Sequence, residues 1–138
     1  LARRSLRPGS HRRTGCQVYN RVFEDGLEVC QINKKMHIVV LITAANKKEA
    51  GKIARALLNN RVAACVNIVG GLKSLFWWQG KVDKAGEALL IVKSRKEKFN
   101  SIVKLVKSLH SYEVPEIIAI PIVSGFKPYL KWIDESLR

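Results

Sequence analysis

Cysteine is scarce in this chain: there are three, Cys16, Cys30 and Cys65, set 14 and 35 positions apart. No close pair supplies a zinc-type ligand motif. An odd count without a secretory apolar segment fits a reducing compartment better than a disulfide framework. Long apolar runs are missing as well. The longest, Ile38 to Ala45, has eight residues and includes Thr43, against the 18 or so of a membrane helix. The expectation is a soluble cytoplasmic protein with no membrane partner. Paired dinucleotide glycines and a P-loop are absent. Acidic residues are also few, 11 against 25 Lys and Arg, for a net charge of +14.

Such a balance invites a nucleic-acid partner, but its distribution argues otherwise. Residues 1–35 carry +5 and residues 36–138 carry +9, spread over several expected helices and turns. No basic cluster is interleaved with an aromatic ladder of the kind single-strand binders use. A solvated basic surface is the plainer reading, and nucleic acid is an unlikely partner.

The chain divides at Met36, its only methionine. Residues 1–35 are rich in Arg, Gly, Ser and Asn and show no sustained period, so they are expected to form a poorly ordered basic extension. They read either as sequence upstream of the true start at Met36 or as an Arg-rich organelle-targeting segment. Glu24, Asp25 and Glu28 weigh against the second. Val18 to Val29 has alternating pieces and could add a short strand.

Residues 36–138 read as one domain. His37 to Thr43 is a β-branched run that predicts a central strand buried on both faces. Asn46 with Glu49 resembles a capping box, and Ala50, Ile53, Ala54, Leu57 and Leu58 give the following helix an apolar face. Two long strands come next, joined at Gln79-Gly80, with Gly70-Gly71 and Gly86 as expected bulges. Lys96 to His110 is the second helix. Glu116 to Ile122 is a short edge strand, its position marked by Pro121. Phe126, Leu130, Ile133 and Leu137 mark a last helix that opens on Pro128. The order β-α-β-β-α-β plus a final helix predicts the α+β class, as a ferredoxin-like split βαβ sandwich. The long hairpin and the bare sheet face need a cover, and another copy of the chain is the simplest one.

Five segments carry a resemblance: RVAACVNI (61–68), SLFWWQGKV (74–82), EALLIVKS (87–94), HSYEVPEIIAIPI (110–122) and YLKWI (129–133). In this order they resemble the CutA family of divalent-cation tolerance proteins over about residues 37–138. The resemblance implies a homotrimer of ferredoxin-like subunits whose hairpins pair across copies, an arrangement similar to PII signalling proteins. It further implies a role in tolerance of divalent cations, copper(II) among them, with no cofactor required and no enzymatic activity. The metal pattern of bacterial members has a Cys where Ile42 stands here and two histidines where Leu109-His110 stands. His110 is thus the one candidate metal ligand, and it is a poor chelate alone. As a residue at a helix C-terminus, it reads equally as an imidazole facing the last carbonyls.

A subunit-interface cleft is expected from Trp77, Trp78, Lys81, Lys93, Tyr112, Glu113, Glu116 and Trp132. One reading is a PII-like regulatory module whose lysines take a small anion at the interface. The other is structural, with the tryptophans as packing anchors and Lys93 paired to Glu116. Catalysis finds little support. Cys65 lies in an apolar stretch, where it reads as a buried small hydrophobe. The loop TAANKK after the first strand lacks the arginine an acylphosphatase would place there.

Overall fold

The structure is a computed structural model of the chain, and it describes residues 19–24, 27–32 and 36–138. Within the basic extension, strands β1 (Tyr19–Glu24) and β2 (Leu27–Ile32) pair antiparallel as a hairpin of their own. The expectation of loose chain for residues 1–35 otherwise falls outside the described residues.

The domain that follows contains β3 (His37–Ala44), α1 (Lys47–Asn59), β4 (Cys65–Trp78), β5 (Lys81–Arg95), α2 (Phe99–Leu109), β6 (Ile117–Pro121) and α3 (Lys127–Ser136). A short 3₁₀ turn, Lys96–Lys98, leads into α2. The four strands form one antiparallel sheet in the order β4-β5-β3-β6. The first and last strands of the domain, β3 and β6, are therefore neighbours, with Ile42 opposite Ile117.

Alternation along β3 decides the layers. Ile38, Val40, Ile42 and Ala44 are fully buried and join Leu90, Val92, Ile53, Leu57, Ile102 and Val106 in the core beneath α1 and α2. Val39, Leu41 and Thr43 point the other way and are half-buried. The expectation of burial on both faces is therefore corrected: one face is sealed by helices, the other covered only in part. A β-branched run shows that a strand is apolar, not how completely each face is covered.

Part of that second face is taken by α3. Asp134 Oδ1 lies 2.9 Å from His37 Nε2 and 3.5 Å from Arg95 Nη1, and Ile133 beside it is fully buried. Arg95 also meets Glu97 at 3.3 Å, while its buried Nε has no hydrogen-bond partner. Beyond α3 the face stays apolar and open, with Ile118 and Ile120 of β6 about half exposed.

The β4–β5 hairpin runs past the core as an arm. Its tip is Gln79-Gly80, both with positive φ (49° and 77°), a turn that suits the twist of two paired strands. The register breaks between Val69 and Leu72, where the Lys47 side chain crosses Gly70 so closely that a Cβ there would overlap it. Gly86, expected to form a second bulge, instead pairs in regular register with Lys73.

Candidate functional site

A cavity of about 900 Å³ opens between the hairpin arm and the segment that joins α2 to β6. Its walls are Phe76, Trp78, Asp83 and Glu87 from the arm and Tyr112, Glu113, Val114 and Glu116 from the segment, with Thr43 and Lys73 among the other lining residues. The turn at Gln79-Gly80 sets this composition. It places Trp78 opposite Lys81 and Phe76 opposite Asp83, and the bulge below brings Leu72 opposite Glu87. In a two-residue period these aromatic and acidic side chains share one face.

The facing wall is tied down by two side chains. Asn46 caps α1 by accepting the Glu49 N–H at 2.8 Å. The Glu49 carboxylate in turn accepts the Ala45 N–H at 2.8 Å and the Ser111 N–H at 2.5 Å. The capping box is thus only half formed: Glu49 accepts the N–H of Ala45 rather than that of the N-cap Asn46, and its other oxygen reaches a segment 62 residues away. Burial works to raise the pKa of Glu49, but the hydrogen bonds from Ala45 and Ser111 outweigh it, and the net shift is downward. His110 is the second tie. Its Nε2 donates to the Thr43 carbonyl at 2.7 Å, and its Nδ1 accepts the Tyr112 N–H at 3.0 Å. Its ring also lies against Tyr112, with centroids 4.8 Å apart. Burial raises the Tyr112 pKa, and the neighbouring Glu87 carboxylate raises it further.

Of the expected cleft residues, Trp78, Tyr112, Glu113 and Glu116 line this cavity. The rest do not. Trp77 sits on the opposite face of β4, 76% exposed, and Lys81 sits at the hairpin tip. Lys93 lies at the far end of the sheet and donates to Asn67 Oδ1, not to Glu116. Trp132 stacks on Tyr129 in α3, with centroids 5.6 Å apart. Cys65 is half-buried beside Asn67 and Tyr129, which corrects the expectation of a buried hydrophobe. Sequence reasoning missed Asp83, Glu87, Lys73, Phe76 and Thr43. The first, second and fourth were within reach, since a two-residue turn at Gln79-Gly80 fixes the pairing of both strands.

The chemistry suits no dedicated metal chelate. Both His110 nitrogens are occupied by backbone groups. Ile42, at the position where the resemblance has a cysteine, is 0% exposed within the core, and Leu109 packs against that core. Among the described residues no three His, Cys, Asp or Glu side chains are placed to hold one ion.

The sequence pattern of the CutA1 divalent ion tolerance protein family matches residues 38–136. This chain belongs to that family. It is 50% identical over 103 residues to the divalent-cation tolerance protein CutA of Archaeoglobus fulgidus, covering 75% of this chain and all of that one. The solved structure of that archaeal protein, described as periplasmic, superposes with a TM-score of 0.73 over 75% of this chain and 100% of its own. A rice relative, protein CutA 1, chloroplastic, is 44% identical over 101 residues, which are 73% of this chain and 57% of that protein. The α+β fold with its four-stranded antiparallel sheet and three helices thus agrees with CutA structures. No described helix is long and apolar enough to cross a membrane.

Proposed function

We propose that the chain works as a homotrimer of ferredoxin-like subunits in the tolerance of divalent cations, copper(II) among them, without catalysing a reaction. One observation carries the reading: in a single chain the hairpin arm holds Leu75 66%, Trp77 76% and Trp78 60% exposed. An arm this apolar, joined to a sheet face open at Ile118 and Ile120, favours pairing with like chains. Names of relatives support the tolerance role. In this reading divalent ions are handled cargo, held weakly, and no resident cofactor is required.

The regulatory alternative, with a small anion at the interface, loses its support. Lys81 and Lys93 were its charge, and the cavity holds Asp83, Glu87, Glu113 and Glu116 against Lys73 alone. Cytoplasmic residence is our reading for this chain. A rice relative described as chloroplastic keeps organelle import through residues 1–35 as the other.

Calorimetric titration with Cu(II), Zn(II) and Ni(II), run beside light scattering, tests both halves. Weak metal uptake by a species of three chains supports the proposal. Tight one-to-one chelation by a monomer refutes it.

A further inference from the structure

Helices α1 and α2 lie side by side on one face of the sheet, with Ile53, Leu57, Ile102 and Val106 sealed beneath them. The buried positions decide which residues point away. In α1 the 3.6-residue period sets Lys48, Lys52 and Arg55 opposite the buried stripe, and all three are exposed. In α2 it sets Lys104 and Lys107 opposite Ile102 and Val106, and both are exposed. Charge that is dispersed along the sequence is thus gathered, in part, on one outward surface.

No acid balances this surface. α2 contains no Asp or Glu, and Glu49, the one acid of α1, accepts the Ala45 and Ser111 N–H groups. Glu97, in the turn before α2, meets Arg95 at 3.3 Å. The other acids of the domain lie on the arm, on the 113–116 segment and on α3. Among the described residues, none of the five cations enters an ion pair. The open sheet face proposed to meet like chains lies on the other side of the sheet, so that assembly leaves the helix surface free.

The kind of polyanion follows from what accompanies the charge. Membrane-surface helices sink an apolar face into the lipid, whereas the apolar faces of α1 and α2 are spent on the core. Single-strand binders stack bases on aromatic rings, and the outward positions of these helices hold none. A duplex backbone asks for neither. Successive cations in each row stand about 4–6 Å apart along the helix axis. Packed helices run about 8–10 Å apart, comparable with the roughly 6–12 Å groove widths of a duplex. Two such rows can reach the phosphates on both sides of a groove.

We propose that the outward face of α1 and α2 binds the phosphodiester backbone of a nucleic-acid duplex without reading its sequence. Lys48, Lys52, Arg55, Lys104 and Lys107 supply the contacts. This surface is separate from the cavity and from the hairpin arm.

Fluorescence anisotropy of the full chain with labelled DNA and RNA duplexes, in two unrelated sequences each, tests this. Binding of either duplex should be micromolar at low salt and the same for both sequences. The logarithm of the affinity should fall against that of salt with a slope of about −4, from five phosphates released at roughly 0.9 each. Lys52→Glu with Lys104→Glu should weaken binding at least tenfold and make the slope shallower. Lys81→Glu with Lys84→Glu changes the net charge equally on the arm and should have a far smaller effect. Circular dichroism checks that each pair folds, and Lys52→Gln with Lys104→Gln should give a smaller loss in the same direction. No binding at low salt overturns the proposal. Equal losses in the two reversed pairs also overturn it, since net charge or residues 1–35 would then carry the affinity. Phosphatidylserine vesicles or poly-glutamate bound as tightly as the duplex would do the same.

Discussion

His110 Nε2 stands 2.7 Å from the carbonyl oxygen of Thr43, and this contact changes what the histidine is for. With Nδ1 accepting the Tyr112 N–H, the ring is the Nε2-protonated neutral tautomer, and no lone pair is left for a metal. His110→Ala should leave Cu(II) affinity unchanged in calorimetry. It should lower unfolding stability by about 1–3 kcal/mol, because a backbone donor and a backbone acceptor lose their partner. A large loss of copper affinity with unchanged stability would make His110 a ligand after all.

Glu49 gives the fold an acid-sensitive joint. Its folded-state pKa is held below the ordinary value because the Ala45 and Ser111 hydrogen bonds outweigh burial. A depressed carboxylate contributes stability that is present above its unfolded pKa and is lost as pH falls through the folded one. Denaturant midpoints should therefore fall as pH drops from the ordinary carboxylate value into more acid solution. Glu49→Gln should be less stable at neutral pH and flatter across that window. A wild-type profile parallel to that of Glu49→Gln would remove Glu49 from the account.

Asp134 anchors α3 through His37 at 2.9 Å and Arg95 at 3.5 Å. Asp134→Asn should cost about 1–3 kcal/mol and speed hydrogen exchange in Lys127–Ser136 more than in α1. Uniform exchange changes over the whole domain would contradict a local anchor.

Ile42 is wholly enclosed by the core. Ile42→Ala should destabilise by about 2–5 kcal/mol in urea unfolding. A cost near zero would mean that the site is not packed as described.

Much of the fold was legible because its signals are local. The β-branched run at 37–43, the apolar stripe of α1, the Gln79-Gly80 turn and Pro121 on an edge strand each report the backbone around them. What escaped depends on partners far along the chain. Nothing near Glu49 announces that its second oxygen reaches Ser111, nor does the sequence around His110 announce the Thr43 carbonyl. Lys93 and Glu116 looked like partners by charge, but the register puts Lys93 opposite Val39 and Cys65, several residues from the Ile42–Ile117 end. The sign of the cavity was misread for the same reason. Lys81 and Lys93 are prominent in the sequence, whereas Asp83 and Glu87 acquire meaning only when the hairpin folds them toward Glu113 and Glu116.

The exposed arm bears most of the account's weight, and the mass of the particle in solution tests it most directly. Sedimentation or light scattering at micromolar concentration should give close to three times the 15.6 kDa chain mass, and Leu75→Lys with Trp77→Lys should lower it. A stable monomer in the unaltered chain, with its tryptophans open to solvent, would contradict the account.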